Sequence, residues 1–252
     1  MLRIENLKKY FGGIKAVNGC SFEVEKGKIT ALIGPNGSGK TTIFNLICGV
    51  HKPDEGKIIF STNTGKRNIA GMQIEKISNF GISRFFQQTR LFKNLTVLEN
   101  LLLAEDNEDQ KFWKNVLGFN KFDKAKIEKA NEKLADFDLK NILNIRAEDL
   151  SFGQKRLVEL ARNILNYHTI LILDEPVAGV NHKIRNIIAE TILQMKKEGE
   201  TILLIEHDMS FTFSISDKVI VMDAGKIVAT GTPEEIHNNP EILRIYLGCC
   251  QL

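Results

Sequence analysis

Short runs of β-branched and apolar residues alternate along the chain with longer stretches whose apolar residues recur at helical spacing. This is the pattern of an α/β sheet wound from parallel strands. The clearest runs are 29–33, 82–86, 170–173 and 201–205, each nearly continuous in hydrophobicity, as suits strands covered by helices on both faces. Residues 1–30 and 56–60 alternate instead like antiparallel strands, which predicts an accessory β layer. Residues 96 to about 162 carry helical period and few strand signals. There Thr96 and Glu99 have capping-box spacing, and Ile127, Ala130 and Leu134 fall on one helical face. Thr232-Pro233-Glu234-Glu235 supplies a cap, a proline in the first turn and an acidic third position, predicting a short helix near the C-terminus.

Composition narrows the class. The 252 residues hold 34 Lys plus Arg against 31 Asp plus Glu, a net charge of +3, and 43% are hydrophobic, enough for the core of one or two domains. Intrinsic disorder and a disulfide-dense scaffold are excluded on that balance. No long Lys/Arg run supports nucleic-acid binding, so no nucleic-acid partner is expected. No stretch reaches the ~18 to 20 apolar residues of a membrane span, and the first residues lack the apolar core of a secretion signal. Those features predict a cytosolic protein. Cys20, Cys48, Cys249 and Cys250 have neither C-x-x-C spacing nor histidines at zinc-finger distances, and they receive no function.

Three segments carry chemistry. Gly34-Pro35-Asn36-Gly37-Ser38-Gly39-Lys40-Thr41 satisfies G-x-x-x-x-G-K-[ST] between an apolar strand ending at Ile33 and a helix-like stretch from Thr42. Glycines let successive N–H groups turn toward phosphate oxygens, and the following helix adds its positive dipole end. Lys40 would bridge the β- and γ-phosphates, and the Thr41 hydroxyl would ligate magnesium. Average residue frequencies give chance odds of about one in a hundred for this motif in such a chain. Downstream, the run 170–173 delivers Asp174 and Glu175 to the carboxyl edge of a buried strand, where open α/β sheets bind ligands. Asp174 is suited to hold magnesium through its water shell, and Glu175 to polarise an attacking water. The run 201–205 brings Glu206-His207-Asp208 to the same edge, with His207 as a sensor of γ-phosphate. Gln87, after the run 82–86, is a neutral group for magnesium or water.

Leu150-Ser151-Phe152-Gly153-Gln154, about twenty residues before the acidic pair, resembles the signature of the ATP-binding-cassette (ABC) family, and the ordered motifs extend that resemblance over essentially the whole chain. Ser151 and Gln154 also have capping-box spacing. The resemblance implies an ABC-type P-loop ATPase: a parallel core sheet, an antiparallel β layer and an inserted helical subdomain. Residues 1–252 would be one nucleotide-binding domain, with about 1–87 and 163–252 as the core and β layer and about 88–162 as the signature subdomain. It implies ATP and Mg2+ as ligands, Gly34 through Thr42 and Phe11 contacting nucleotide, and Phe11 as the aromatic under adenine. It further implies that Ser151, Gly153 and Gln154 reach the nucleotide of a second ABC ATPase subunit, identical or homologous, while Lys40, Thr41, Gln87, Asp174, Glu175 and His207 act within the chain.

Two positions depart from the commonest pattern: Phe152 stands where glycine is usual, and Asn181 where the family often has Asp. Both, together with Tyr10-Phe11-Gly12-Gly13, the segment 231–236 and the segment 240–248, are similar to the branched-chain amino acid uptake ATPases. The implied function is ATP hydrolysis for a membrane importer of branched-chain or related amino acids, on the cytoplasmic face of the cell membrane. Integral permease subunits would be direct partners, and a solute-binding protein an indirect one. The segment 85–92, with Leu91 and Phe92, is the expected docking site for the permeases. The aromatic segment 112–122 packs on its own helical region or lies against membrane subunits. Alternatives are a lipid or lipopolysaccharide export ATPase and a non-transport cassette acting on nucleic acid or ribosomes.

Overall fold

The computed structural model describes residues 1–62, 65–86, 89–105, 124–137, 139 and 141–248. Two compact units share the chain: Met1–Arg84 with Thr169–Glu175 and Ile192–Leu252, and Phe85–His168 with Pro176–Thr191. Among the described residues ten strands and their helices follow in chain order from β1 (Leu2–Phe11), β2 (Ile14–Val24) and β3 (Ile29–Ile33) to α1 (Lys40–Ile47), β4 (Glu55–Thr62), β5 (Gly65–Asn68), α2 (Ile74–Asn79) and β6 (Ile82–Phe85). Next come α3 (Val97–Glu105), α4 (Lys124–Asp136), α5 (Phe152–Leu165), β7 (Ile170–Asp174), α6 (His182–Lys197), β8 (Ile202–Ile205) and α7 (Met209–Ile215). The chain closes on β9 (Lys218–Asp223), β10 (Lys226–Gly231), α8 (Pro233–His237) and α9 (Pro240–Gly248).

In the first unit a four-stranded sheet, order β2-β1-β4-β5, is antiparallel throughout, as the alternating N-terminal pattern predicts. The second sheet has the order β10-β9-β3-β8-β7-β6, with β9, β3, β8 and β7 running parallel. One antiparallel strand, β10, extends its edge beside β9. Every residue of β3, β7 and β8 is buried, which explains their unbroken hydrophobicity. Side chains alternate across a strand. Accordingly Leu32, Ile170, Ile172, Leu203 and Ile205 join one cluster with Leu2, Ile4 and Phe60 of the antiparallel sheet and Ile43, Phe44 and Ile47 of α1. Ala31, Leu171, Leu173 and Leu204 are buried at the intervening positions. α1 thus lies in the apolar layer between the two sheets, which fixes its first turn beyond the end of β3.

The second unit is helical. Thr96 and Glu99 form the expected capping box before α3, with N–H to carboxylate at 2.7 Å and N–H to hydroxyl at 3.2 Å. Ala130 and Leu134 of α4 are buried and Ile127 is half-buried, so the apolar face read from sequence is the inward one. Buried Asn100 accepts the Phe92 N–H and donates to the carbonyls of Phe92 and Thr96, stitching the loop ahead of α3 in place of water. The aromatic segment 112–122 and Cys249 and Cys250 lie outside the described residues.

Candidate functional site

The phosphate loop leaves β3 at Ile33 and enters α1 at Lys40. Two of its glycines are required by close approach. A Cβ on Gly34 would stand 2.0 Å from the Met222 carbonyl oxygen, and one on Gly39, at φ +105°, would stand 2.1 Å from that of Ala16. Gly39 is also the N-cap of α1 and offers no side-chain cap, so the first-turn N–H groups remain available for an anion. The Lys40 ammonium folds back over the loop and donates to the carbonyls of Gly34 (2.8 Å) and Pro35 (2.9 Å), with the Ser38 hydroxyl at 3.4 Å. Its burial pulls its pKa down, and the charges of Glu175 and Asp174 pull it back up. In the first turn Thr41 is exposed and Thr42 half-buried.

β7 ends at Asp174, and Glu175 follows in the left-handed region at φ +50°, its N–H bonded to the Ile205 carbonyl of β8 at 3.0 Å. A non-glycine residue there costs about 1–3 kcal/mol and is found where surrounding structure and function demand it. His207 follows β8, with Nδ1 3.8 Å from Glu175 Oε1 and 3.8 Å from Glu206 Oε2. Fully buried Glu206 accepts the His207 N–H at 3.1 Å, and Asp208 caps α7 through the Phe211 N–H at 2.9 Å. Backbone bonds on both sides therefore fix the turn that presents the exposed imidazole. Phe11, at the end of β1, is exposed, edge-on to His51 at 5.3 Å, with the Lys9 ammonium 5.4 Å from its ring centre.

The first unit thus brings the loop Gly34–Gly39, Lys40, Asp174, Glu175 and His207 to the ends of the neighbouring parallel strands β3, β8 and β7. For magnesium the chain offers hard oxygen donors, the Thr41 hydroxyl and the Asp174 carboxylate, and these fit the ion. Among the described residues no three or more His, Cys, Asp or Glu side chains gather into a metal site.

Ser151, Gly153 and Gln154 belong to the second unit, at the start of α5. The capping box read from sequence is formed: the Ser151 N–H meets Gln154 Oε1 at 2.9 Å, and the Gln154 N–H meets Ser151 Oγ at 3.3 Å. A Cβ on Gly153 would press to 3.0 Å on the Ile184 side chain of α6, and exposed Phe152 covers Gly179. Asn181 caps α6 by accepting the Ile184 N–H at 3.0 Å. Gln87 lies outside the described residues, but its flanks are held by α5. Arg156 donates to the Phe86 carbonyl, Arg162 to that of Arg90, and Glu159 accepts the Arg90 N–H, at 2.8, 2.8 and 2.9 Å.

Sequence reasoning missed Arg84 and Glu159, and it placed Glu206 at the sheet edge without giving it a role. Arg84 donates to Asp174 Oδ2 at 2.6 Å and to Asn45 Oδ1 at 2.7 Å, a bond between residues 90 apart that no local pattern announces. Glu159 sits among Arg156 and Arg162 at helical spacing, a signal that invites a charged outer face; the helix instead buries Arg156 and Glu159 completely.

Comparison with known proteins agrees with this architecture. The family model described as ABC transporter matches residues 17–178. A probable branched-chain amino acid transport ATP-binding protein, LivG, of Archaeoglobus fulgidus is 39% identical over 249 residues, spanning 98% of this chain and 95% of that one. The high-affinity branched-chain amino acid transport ATP-binding protein LivG of Salmonella typhimurium is likewise 39% identical, over 98% of each. Among solved structures, a nucleotide-free ATP-binding cassette from an ABC transporter superposes with a TM-score of 0.82 at 36% identity, covering 98% of both chains. A cassette in its ADP conformation gives 0.82 at 35% over the same shares. With the loop, the strand-edge carboxylates and the capped signature helix all formed, and relatives of this identity along nearly its full length, the chain belongs to the ABC transporter family.

Proposed function

We propose that the chain is the ATP-hydrolysing subunit of a membrane importer for branched-chain or related amino acids, with residues 1–252 acting as one nucleotide-binding domain. The observation that carries the chemistry is the convergence of Lys40, Asp174, Glu175 and His207 at the ends of three adjacent parallel strands, where open sheets bind ligands. The cargo rests on the LivG relatives, which are branched-chain amino acid transport proteins, and this favours amino acid uptake over lipid export.

ATP enters with its adenine against Phe11 and its phosphates in the loop Gly34–Gly39. Lys40 then exchanges the Gly34 and Pro35 carbonyls for phosphate oxygens, a stronger charge-assisted pairing. Thr41, Thr42 and the first-turn N–H groups of α1 face the same anion. Thr41, Asp174 and Gln87 would hold magnesium, which when bound would supply positive charge beside the phosphates. Glu175 accepts a proton from the attacking water, and His207, 3.8 Å from its carboxylate, orients that water and the leaving phosphate. Catalysis of this kind is positioning and electrostatics, and the backbone bonds that fix Glu175 and His207 supply the positioning.

The site is completed by Ser151, Gly153 and Gln154 of a second cassette, identical or homologous, so ATP bridges two subunits and its hydrolysis lets them part. No helix among the described residues is long and apolar enough to cross a membrane, and the pathway belongs to permease subunits docked on the cytoplasmic face. Phe92 is suited to receive them: it is 56% exposed, yet Asn100 bonds both its N–H and its carbonyl, so its apolar ring stands out on a rigid backbone. A solute-binding protein would reach the chain only through those permeases.

The deciding experiment follows dimerisation of Glu175→Gln by light scattering with ATP and magnesium, beside hydrolysis by the wild type. Expected are ATP-dependent dimers and turnover reduced by about 10^2- to 10^4-fold. A variant that binds ATP and hydrolyses it at the wild-type rate would remove Glu175 from its role.

A further inference from the structure

We propose that Arg84 is a positioning residue that fixes the magnesium carboxylate Asp174 relative to the helix carrying Thr41, with Asn45 as its second anchor. The inference rests on the functional reading above and adds to it a residue that neither the sequence motifs nor the comparisons assign.

Arg84 lies on β6 in the same unit as α1 and β7. Its guanidinium is nearly enclosed, as is Asp174, with side chains 8% and 6% exposed. Two different nitrogens are committed: Nη2 donates to Asp174 Oδ2 at 2.6 Å, and Nη1 to Asn45 Oδ1 at 2.7 Å. Among the described residues Arg84 is the one hydrogen-bond donor to the Asp174 carboxylate, and the Asn45 side chain has no other hydrogen bond. Cys48 lies beside the same guanidinium, but burial raises its pKa to about 11, so it stays a neutral thiol and does not compete for the charge.

The consequence comes from helix geometry. Asn45 follows Thr41 by four residues, so the two share one face of α1. A single planar fork therefore spans from the helix face that bears the Thr41 hydroxyl to the strand end that bears Asp174. It sets the spacing of the two oxygen donors and, by holding Oδ2, leaves Oδ1 for the ion's water shell. Lysine keeps the charge but cannot satisfy both acceptors in fixed, coplanar directions. Simple electrostatics, in which a cation beside a magnesium ligand repels the metal, predicts no change in Mg2+ binding when that charge is kept.

Charge-conserving variants separate the two. Binding of a fluorescent ATP analogue is titrated with MgCl2, and separately in excess EDTA, for the wild type, Arg84→Lys and Asn45→Ala. Mn2+ bound to the nucleotide complex is counted by electron paramagnetic resonance. Positioning predicts that Arg84→Lys raises the Mg2+ midpoint about tenfold and Asn45→Ala by a smaller factor in the same direction, as for partners that orient metal ligands. Analogue affinity in EDTA stays within about twofold of wild type, because the phosphate loop is intact. Wild-type Mg2+ midpoints in both variants, or equal losses with and without metal, overturn the proposal. If Arg84→Lys does not fold, Asn45→Ala decides alone, since it leaves the buried ion pair in place. A wild-type chain that binds no ATP analogue in either condition instead overturns the functional reading, and the inference falls with it.

Discussion

Gly39 sits at φ +105° with the Ala16 carbonyl oxygen 2.1 Å from where a Cβ would be and the Met222 methyl carbon 2.7 Å away. Alanine there meets both a backbone conformation that costs about 1–3 kcal/mol and a backbone atom that cannot turn aside. Gly39→Ala is expected to lose at least about 2 kcal/mol in urea unfolding. It should also lose ATP binding, because relief of the clash moves the loop. An equally conservative change at Gly37, also at positive φ but with nothing within 4 Å, is expected to cost only the conformational part. Equal effects at the two positions would deny the close approach its importance. Glu175 has the same kind of constraint without being glycine: its φ of +50° is held by the bond to Ile205, so its carboxylate is aimed by the sheet as well as by its own rotamer. The Cys20 and Cys48 thiols, both buried and with raised pKa values, belong to the packing and not to this chemistry.

The helix α5 joins two devices, a capped N-terminus and a buried charged face. Burial is the leading cause that raises the Glu159 carboxyl pKa, against the Arg90 N–H and the nearby guanidiniums, which lower it. A raised folded value means that the folded chain binds this proton more tightly. The stabilisation is full below the unfolded value and is lost as pH climbs through the folded one. Glu159→Gln removes that titration. Its stability relative to wild type, followed by urea unfolding between about pH 4 and 7, is expected to improve as pH rises. A difference that stays flat with pH would mean that the carboxyl does not titrate there.

The helix starts were largely legible in the residues, since the boxes at Thr96, Ser151 and Thr232 all formed where the three-residue spacing put them. The continuous runs gave β3, β6, β7 and β8 to within a residue at their ends. What was not legible is of two kinds. β10 is only alternately buried and joins the core sheet by antiparallel pairing with β9, whereas β9 carries a continuous buried apolar run at 219–222 that reads as a strand but does not by itself give its place beside β3. The Arg84 bonds and the burial of Arg156 and Glu159 depend on contacts between distant segments, which periodicity does not encode.

At the scale of the whole molecule, the first unit brings nucleotide-binding groups together, while Ser151, Gly153 and Gln154 stand at a capped helix start in the second. If a second copy supplies those signature groups, two differently broken chains repair one another. Lys40→Ala destroys a chain's own phosphate loop but leaves its signature intact for a partner. Ser151→Arg does the reverse, filling the approach to the α5 N-terminus with a long side chain while sparing the loop. Each variant alone gives pairs in which both sites are defective. A mixed pair holds one site built from an intact loop and an intact signature, and one site broken twice. Random pairing of equal amounts makes half the dimers mixed, each with one sound site of two, so activity per chain should recover to about a quarter of wild type in a closed twofold pair. The measurement is phosphate release by each variant and by the mixture. Nucleotide binding by Ser151→Arg alone serves as a check that its loop survives. Recovery requires a site shared between chains, because neither variant contains a complete set. No recovery, with both variants folded and Ser151→Arg still binding ATP, would mean that a copy of this chain does not complete the site, and the complementary signature would then have to come from a homologous cassette.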